Sequence, residues 1–523
     1  MGICKDAGKN KVDAMDKIIV LDFGSQYAHL ICRRIRECKI YSELVPYDIS
    51  ADELKRMEPN GLIFSGGPAS VYEPNAPVCD KEIFDLGLPI LGICYGHQLL
   101  VHNFGGKVKK ANREYGSADL IIDDSSDLFK SLNSRIRCWM SHGDAAEKLP
   151  SGFKVLAHTN NSFAAAIGSK EKSVYGIQFH PEVAHTENGI EILKNFSTKI
   201  CEAKQEWDMK NFVDNAVQEI RKQVGNETVL CATSGGIDST ATALIMNKAV
   251  GDKLRCVFVN HGLLREGEED EVVRMFKDNF GIKLIYNDAQ ESFLQKLKGV
   301  ADPEKKRMII GEEFAKVFEE VAKEHGPFQW LAQGTLYPDV IESGVSKGPA
   351  ARIKSHHNVA GLPDWLNLKV IEPLRNLYKD EVKQVAGLLG MPEHLIKRHP
   401  FPGPGLAVRI IGEVTKEKID ICKRASRIVE EELMKANLYD KVWQAFAVVG
   451  EDKAVGVLGD ERVYGNVVTV RIVESVDAMT ADWARLPYEL LEKISNRITN
   501  EIEGVTWVTY AVSSKPPATI EPQ

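Results

Sequence analysis

Short apolar runs alternate with amphipathic stretches along most of the chain. Residues 18–23, 61–64, 89–93 and 174–179 read as strands, with helices over 26–36 and 98–103 between them. The same alternation returns after a helical stretch at 207–224. Strands are predicted over 228–232, 254–260 and 330–333, and 240–246 reads as helix. Strands alternating with helices predict parallel sheets covered on both faces, with sites at the carboxyl ends of the strands. The pattern then changes. A long amphipathic helix is predicted over 414–438, alternating strands over 444–449, 454–458 and 467–472, and a helix over 487–502. Helices beside a small antiparallel sheet make an α+β domain. The expected fold class is therefore α/β: two doubly wound parallel-sheet domains followed by a smaller α+β dimerisation domain. The expected boundaries are a polar leader at 1–16, a first domain at 17–203, a second at 207–405 and a third at 406–523.

Composition narrows the class. The chain has 523 residues, enough for three or four domains, and a net charge of −8. That balance argues against binding nucleic acid through the chain as a whole. The ten cysteines show no paired CxxC spacing, which fits a reducing compartment. No apolar run approaches the roughly 20 residues that span a bilayer, and the leader lacks the apolar core of a secretory signal. A cytoplasmic protein with neither a nucleic-acid nor a membrane partner is expected.

Several strand ends carry chemistry. Gly92-Ile93-Cys94-Tyr95-Gly96 has the spacing of a nucleophile elbow with cysteine in place of serine. A buried structural cysteine is the plain alternative. However, His180 and Glu182 follow another strand, two residues apart, as a base and its orienter. The Ser65-Gly66-Gly67-Pro68 turn offers N–H groups for an oxyanion. Together with SHGD (141–144) and QFHPE (178–182), these segments resemble the class I glutamine amidotransferases. The resemblance implies that Cys94 attacks the glutamine side-chain amide, that His180 shuttles the proton and that Glu182 orients it. It assigns the oxyanion hole to the backbone of Gly67 and Tyr95. Gln98, Ser141, His142 and Gly143 would bind glutamine.

The run Ser234-Gly235-Gly236-Ile237-Asp238-Ser239 joins a strand to a helix. Such a turn aims backbone N–H groups at an anion, and no Gly-Lys-Ser/Thr follows to make it a Walker A loop. It resembles the PP-loop of the ATP pyrophosphatase family, which cleaves ATP between its α and β phosphates. The resemblance implies ATP contacts from Ser234 through Thr240, including Ile237 and Ser239, and from Val259 and Gly334. It implies Mg²⁺ bound with ATP at Asp238 and Asp339.

Longer stretches narrow the acceptor. Residues 302–311, 353–359, 399–405 and 514–520 resemble the GMP synthetase family. That resemblance implies XMP contacts from Arg307, Lys354, His356, His357, Gln444, Lys515, Ile520 and Glu521, small-molecule substrates glutamine, ATP and XMP, and a homodimer. The reaction implied is glutamine-dependent amination of XMP through an adenyl-XMP intermediate. Two alternatives stand beside it: an adenylating amidotransferase acting on another purine-like acceptor, and a catalytically silent paralogue that senses nucleotide and glutamine. This chain departs from the family's usual residues at Asn260, Trp507, Ala511 and the Pro522-Gln523 end. Where the family commonly carries arginine at the position of Trp507, a bidentate phosphate partner is lost.

Overall fold

The structure, a computed structural model, describes residues 15–344, 368–475 and 480–523. The chain divides between Asn215 and Ala216 into two compact units.

The first unit is built on one nine-stranded sheet. Its strands are β1 (Lys17–Asp22), β2 (Tyr41–Pro46), β3 (Gly61–Phe64), β4 (Ile90–Ile93), β5 (Lys107–Ile122), β6 (Arg135–Lys148), β7 (Lys154–His158), β8 (Ala166–Ser169) and β9 (Val174–Ile177). The order is β2-β1-β3-β4-β9-β8-β7-β5-β6. The five strands from β2 to β9 run parallel. The central ones, such as IIVL of β1 and ILGI of β4, are buried throughout, as parallel strands covered on both faces must be. The remaining strands extend the sheet antiparallel. The sequence reading did not foresee the long β5–β6 hairpin. Its outer positions are charged, so β6 alternates exposed Arg135 and Arg137 with buried Ile136 and Cys138.

The second unit carries a five-stranded parallel sheet: β10 (Val229–Ala232), β11 (Leu254–Asn260), β12 (Leu284–Asp288), β13 (Trp330–Ala332) and β14 (Lys369–Ile371). The order is β12-β11-β10-β13-β14, so the chain leaves β10 first to one side and then to the other. Ligands of doubly wound sheets bind at such a switch point.

A second sheet in this unit contains β15 (Gln444–Leu458), β16 (Glu461–Glu474), β17 (Asp482–Trp483) and β18 (Val505–Tyr510). Two expectations change here. The two strands predicted at 444–449 and 454–458 form one strand, irregular between Val449 and Lys453. The sheet is also not wholly antiparallel, because β18 pairs parallel with β16. The helix Tyr488–Glu501 carries the chain back before β18, and a strand that returns through a crossover helix lies parallel. The helix Lys416–Lys435 buries Ile419, Cys422, Ala425, Val429 and Leu433 at helical spacing. These residues share one apolar core with Leu230 of β10 and Val470 of β16.

Candidate active sites

β4 ends at Ile93 and the helix Tyr95–Asn103 begins two residues later, leaving Cys94 alone in the corner. Cys94 adopts φ 51°, ψ −102°, a conformation that costs a residue with a Cβ about 1–3 kcal/mol. The strain sets the side chain at the head of the helix Tyr95–Asn103. Only glycine fits on either side. A Cβ on Gly92 would lie 2.5 Å from the carbonyl carbon of Gly96, and one on Gly96 would lie 2.4 Å from the Phe64 carbonyl oxygen.

The predicted partners converge on this corner. A Cβ built on Gly66 would stand 3.3 Å from His180 Cε1 and 3.7 Å from Cys94 Cβ, so the Ser65–Pro68 turn adjoins both. His180 Nδ1 lies 2.8 Å from Glu182 Oε1. Glu182 is wholly buried, and its Oε2 has no hydrogen-bond partner. Its backbone oxygen accepts from Arg34 Nε at 2.9 Å, and the Tyr27 ring meets His180 edge-on. Burial disfavours the charged imidazole. The hydrogen bonds to Cys94 and Glu182 and their negative charges outweigh it, and His180 is pushed up to about 10.

The expected glutamine-binding residues lie beside the thiol. Cys94 Sγ donates to the Ser141 carbonyl at 3.6 Å, and Gln178 Nε2 donates to Sγ at 3.7 Å. Gln98 Nε2 donates to the Asp144 carbonyl and to Gln178 Oε1. His142 bridges the Asp144 carbonyl and Glu114 Oε2, and burial pushes it below the ordinary histidine value. Nothing stands within 4 Å of a Cβ built on Gly143. Sequence reasoning missed Ser70 and Tyr72, whose hydroxyls hold the Asp144 carboxylate, and Glu114 behind His142. None of them falls in a motif. His97, next to the elbow, is fully buried without a hydrogen bond of good geometry, and burial pushes it down to about 3.

In the second unit the loop from Ser234 follows β10, and the helix Ile237–Val250 opens from Gly236 without a side-chain cap. Its first N–H groups are therefore left for an anion. Gly235 has φ +75°, and a Cβ there would lie 2.3 Å from Val272 Cγ2. Ser239 Oγ ties the loop together: it accepts from Ser234 N at 3.1 Å and meets Ser234 Oγ at 3.2 Å. Gly334, past β13, packs against Asp238 and Thr242, and Val259 lies near the end of β11. Asp238 Oδ1, Thr240 Oγ1 and Thr335 Oγ1 are buried without hydrogen-bond partners. Asp339 Oδ2 accepts from Leu336 N at 2.9 Å at the start of the helix Tyr337–Gly344. No group of three or more potential metal ligands gathers among the described residues. Lys379, which no motif marked, lies on Asp238.

Lys354, His356 and His357 lie outside the described residues. The five other expected acceptor contacts lie on or against the C-terminal tail. Gln444 Nε2 donates to Glu521 Oε1, and Ile520 packs with Phe446 and Val473. Lys515 exchanges backbone hydrogen bonds with Ala481. Arg307 donates to the Gln523 backbone oxygen at 2.8 Å. The buried Arg471 guanidinium holds this tail in place by donating to the carbonyls of Ala511, Ser513, Thr519 and Ile520. Trp507 stands exposed on β18, its indole N–H donated to the Val455 carbonyl at 2.9 Å.

Known proteins are similar to this chain in sequence. Residues 19–200 match the family model described as glutamine amidotransferase class-I, and residues 431–522 match the one described as GMP synthase C terminal domain. A protein of Caldicellulosiruptor saccharolyticus named GMP synthase (glutamine-hydrolyzing) is 54% identical over 96% of this chain and 99% of its own length. Proteins of the same name from Wolinella succinogenes and Gloeothece citriformis are 54% and 52% identical over 96% of this chain, covering 98% and 94% of their own. The chain belongs to the family of glutamine-hydrolyzing GMP synthases.

Proposed function

We propose that the chain makes GMP by aminating XMP: XMP, ATP, glutamine and water give GMP, AMP, pyrophosphate and glutamate. Membership of the family over nearly its whole length supports this reading. The observation that carries the glutamine half is the order thiol, imidazole, carboxylate at a strained strand end.

The Cys94 thiolate attacks the side-chain carbonyl carbon of glutamine. The N–H groups of Gly67 and Tyr95 take the oxyanion, while Gln98, Ser141, His142 and Gly143 seat the substrate. His180, charged and held by Glu182, gives its proton to the departing ammonia. It then takes one from the water that releases glutamate from the thioester.

At the second site ATP adenylates O2 of the xanthine ring and pyrophosphate departs. Ammonia then forms the bond to C2 as AMP leaves. The loop from Ser234 to Thr240 receives the pyrophosphate on the free N–H groups of its helix, beside Val259 and Gly334. Mg²⁺ fits this site, because Asp238 Oδ1 is a buried oxygen without a partner. The ion characteristically takes one or two carboxylates together with phosphate oxygens. Asp238 and Asp339 would hold it, and the bound ion would neutralise phosphate charge. Arg307, Lys354, His356, His357, Gln444, Lys515, Ile520 and Glu521 would bind XMP.

We read the chain as a leader (1–16), an amidotransferase domain (17–203), an ATP pyrophosphatase domain (207–405) and a dimerisation domain (406–523). A cytoplasmic homodimer is the assembly proposed. Val455, Val457, Tyr464 and Trp507 leave apolar surface exposed on the last sheet for a second copy. Among the described residues, no helix is long and apolar enough to cross a membrane.

The test supplies ATP, glutamine and XMP as the sole acceptor, and measures GMP, AMP and pyrophosphate. Stoichiometric release of all three is expected. Turnover with a different purine acceptor alone would replace XMP, and binding without turnover would make the chain a sensor.

A further inference from the structure

Arg409 is 1% exposed, directly after the 399–405 proline-glycine segment. Its guanidinium carbon lies 4.2 Å from the Phe446 ring centroid and 4.9 Å from that of Phe401. A buried cation between two rings gains from their faces but still needs a countercharge. Its Nε has no hydrogen-bond partner, and its ion-pair partner is Glu521, with Nη2 to Oε1 at 3.6 Å. Glu521 Oε1 also accepts from Gln444 Nε2, which donates in turn to the Pro400 carbonyl at 3.1 Å. Both contacts fall on Oε1. The backbone around Arg409 is pinned too, because the buried Lys306 ammonium donates to the carbonyls of Ala407 and Ile410. Burial pulls the Arg409 guanidinium down, and the Glu521 carboxylate partly offsets that cost.

We propose that Arg409 is a positioning residue for the purine: it fixes the place of the Glu521 carboxylate through Oε1, so the site selects a nucleotide whose ring offers an N–H donor there. The proposal rests on the reading that Glu521 meets XMP. A carboxylate held in place accepts from a lactam N–H. Facing a ring nitrogen lone pair, it is left unpaired, which a partly buried charge tolerates poorly.

The experiment uses the full chain with ammonium as nitrogen donor, so that Cys94 chemistry does not intervene. The KM values for XMP and ATP are measured for Arg409→Met, Arg409→Lys, Glu521→Gln and the Arg409→Met/Glu521→Gln pair. Arg409→Met and Glu521→Gln should each raise the KM for XMP about 10- to 100-fold, the loss of a hydrogen bond to a charged group. The KM for ATP should stay within about twofold, and the double variant should be no worse than Glu521→Gln alone. Arg409→Lys keeps a charge in the slot and should recover part of the affinity; it is the folded comparison if the methionine variant is unstable. Additive losses, or an equal loss for ATP, would reduce Arg409 to a structural role and overturn the proposal. An unchanged KM for XMP in Glu521→Gln would instead remove Glu521 from the acceptor site, and the proposal with it.

Discussion

Lys379 Nζ lies 2.5 Å from Asp238 Oδ2, although the two residues are 141 positions apart. Lys379 opens the helix Lys379–Leu388, and Asp238 lies in the first turn of the helix behind the glycine loop. Both side chains are partly open to water, so as an ion pair they contribute about 1 kcal/mol at most. The Lys379 ammonium also stands where a phosphate on the proposed loop would meet it, which makes a kinetic prediction. Lys379→Met should leave Tm within about 2 °C. It should raise the KM for ATP about tenfold or more, in ammonium- and glutamine-driven assays alike. A thermal melt and the two kinetic assays check this; a large drop in Tm with normal ATP affinity would contradict it.

Asp238→Ala should abolish GMP formation from either nitrogen donor while some glutaminase activity survives. The variant removes a carboxylate whose second oxygen is buried and unpartnered. Normal GMP synthesis in this variant would take the loop out of the mechanism.

Cys94→Ala should abolish glutamine-dependent synthesis and spare synthesis from added ammonium, because the second site never uses the thiol. Loss of both activities in a folded variant would refute the division of labour between the units.

The raised value of His180 makes a pH prediction. Its charged form is favoured in the fold, from an ordinary 6.5 up to about 10. The stabilisation is complete below the ordinary value and is lost as pH rises through about 10. Glu182→Gln keeps an acceptor at Nδ1 and removes the charge. The alkaline limb of glutaminase activity should move down by about 1–3 pH units. Superimposable profiles for the two proteins would show that Glu182 does not set the limb.

Gly96→Ala forces a Cβ to within 2.4 Å of the Phe64 carbonyl oxygen. The helix must lift from the sheet and carry Cys94 with it. A loss of about 1–3 kcal/mol in stability is expected, with a larger fractional loss of glutaminase activity. Calorimetry and single-turnover glutamine hydrolysis measure the two effects.

The parts of these sites that the sequence disclosed share one property. Cys94, His180 and the Ser234 loop follow short, apolar parallel strands. The β5–β6 hairpin escaped notice because its outer face is charged, although it carries Ser141 and His142. Lys379, Ser70 and Arg409 were silent for another reason. Each is paired with a residue distant in sequence, and no local spacing encodes such a pairing. The parallel placement of β18 was equally hidden, since strand direction depends on the crossover and not on the strand's own residues.

The grip of Arg471 changes what shortening this chain would mean. Three of its four carbonyl partners belong to Ser513, Thr519 and Ile520. A cut after Val512 would strand a cation in the interior, at a cost on the order of a few kcal/mol. The final residues thus act as a plug seated from outside. Their removal should appear first as a broadened, lower-temperature melt of the second unit, before any question of substrate arises.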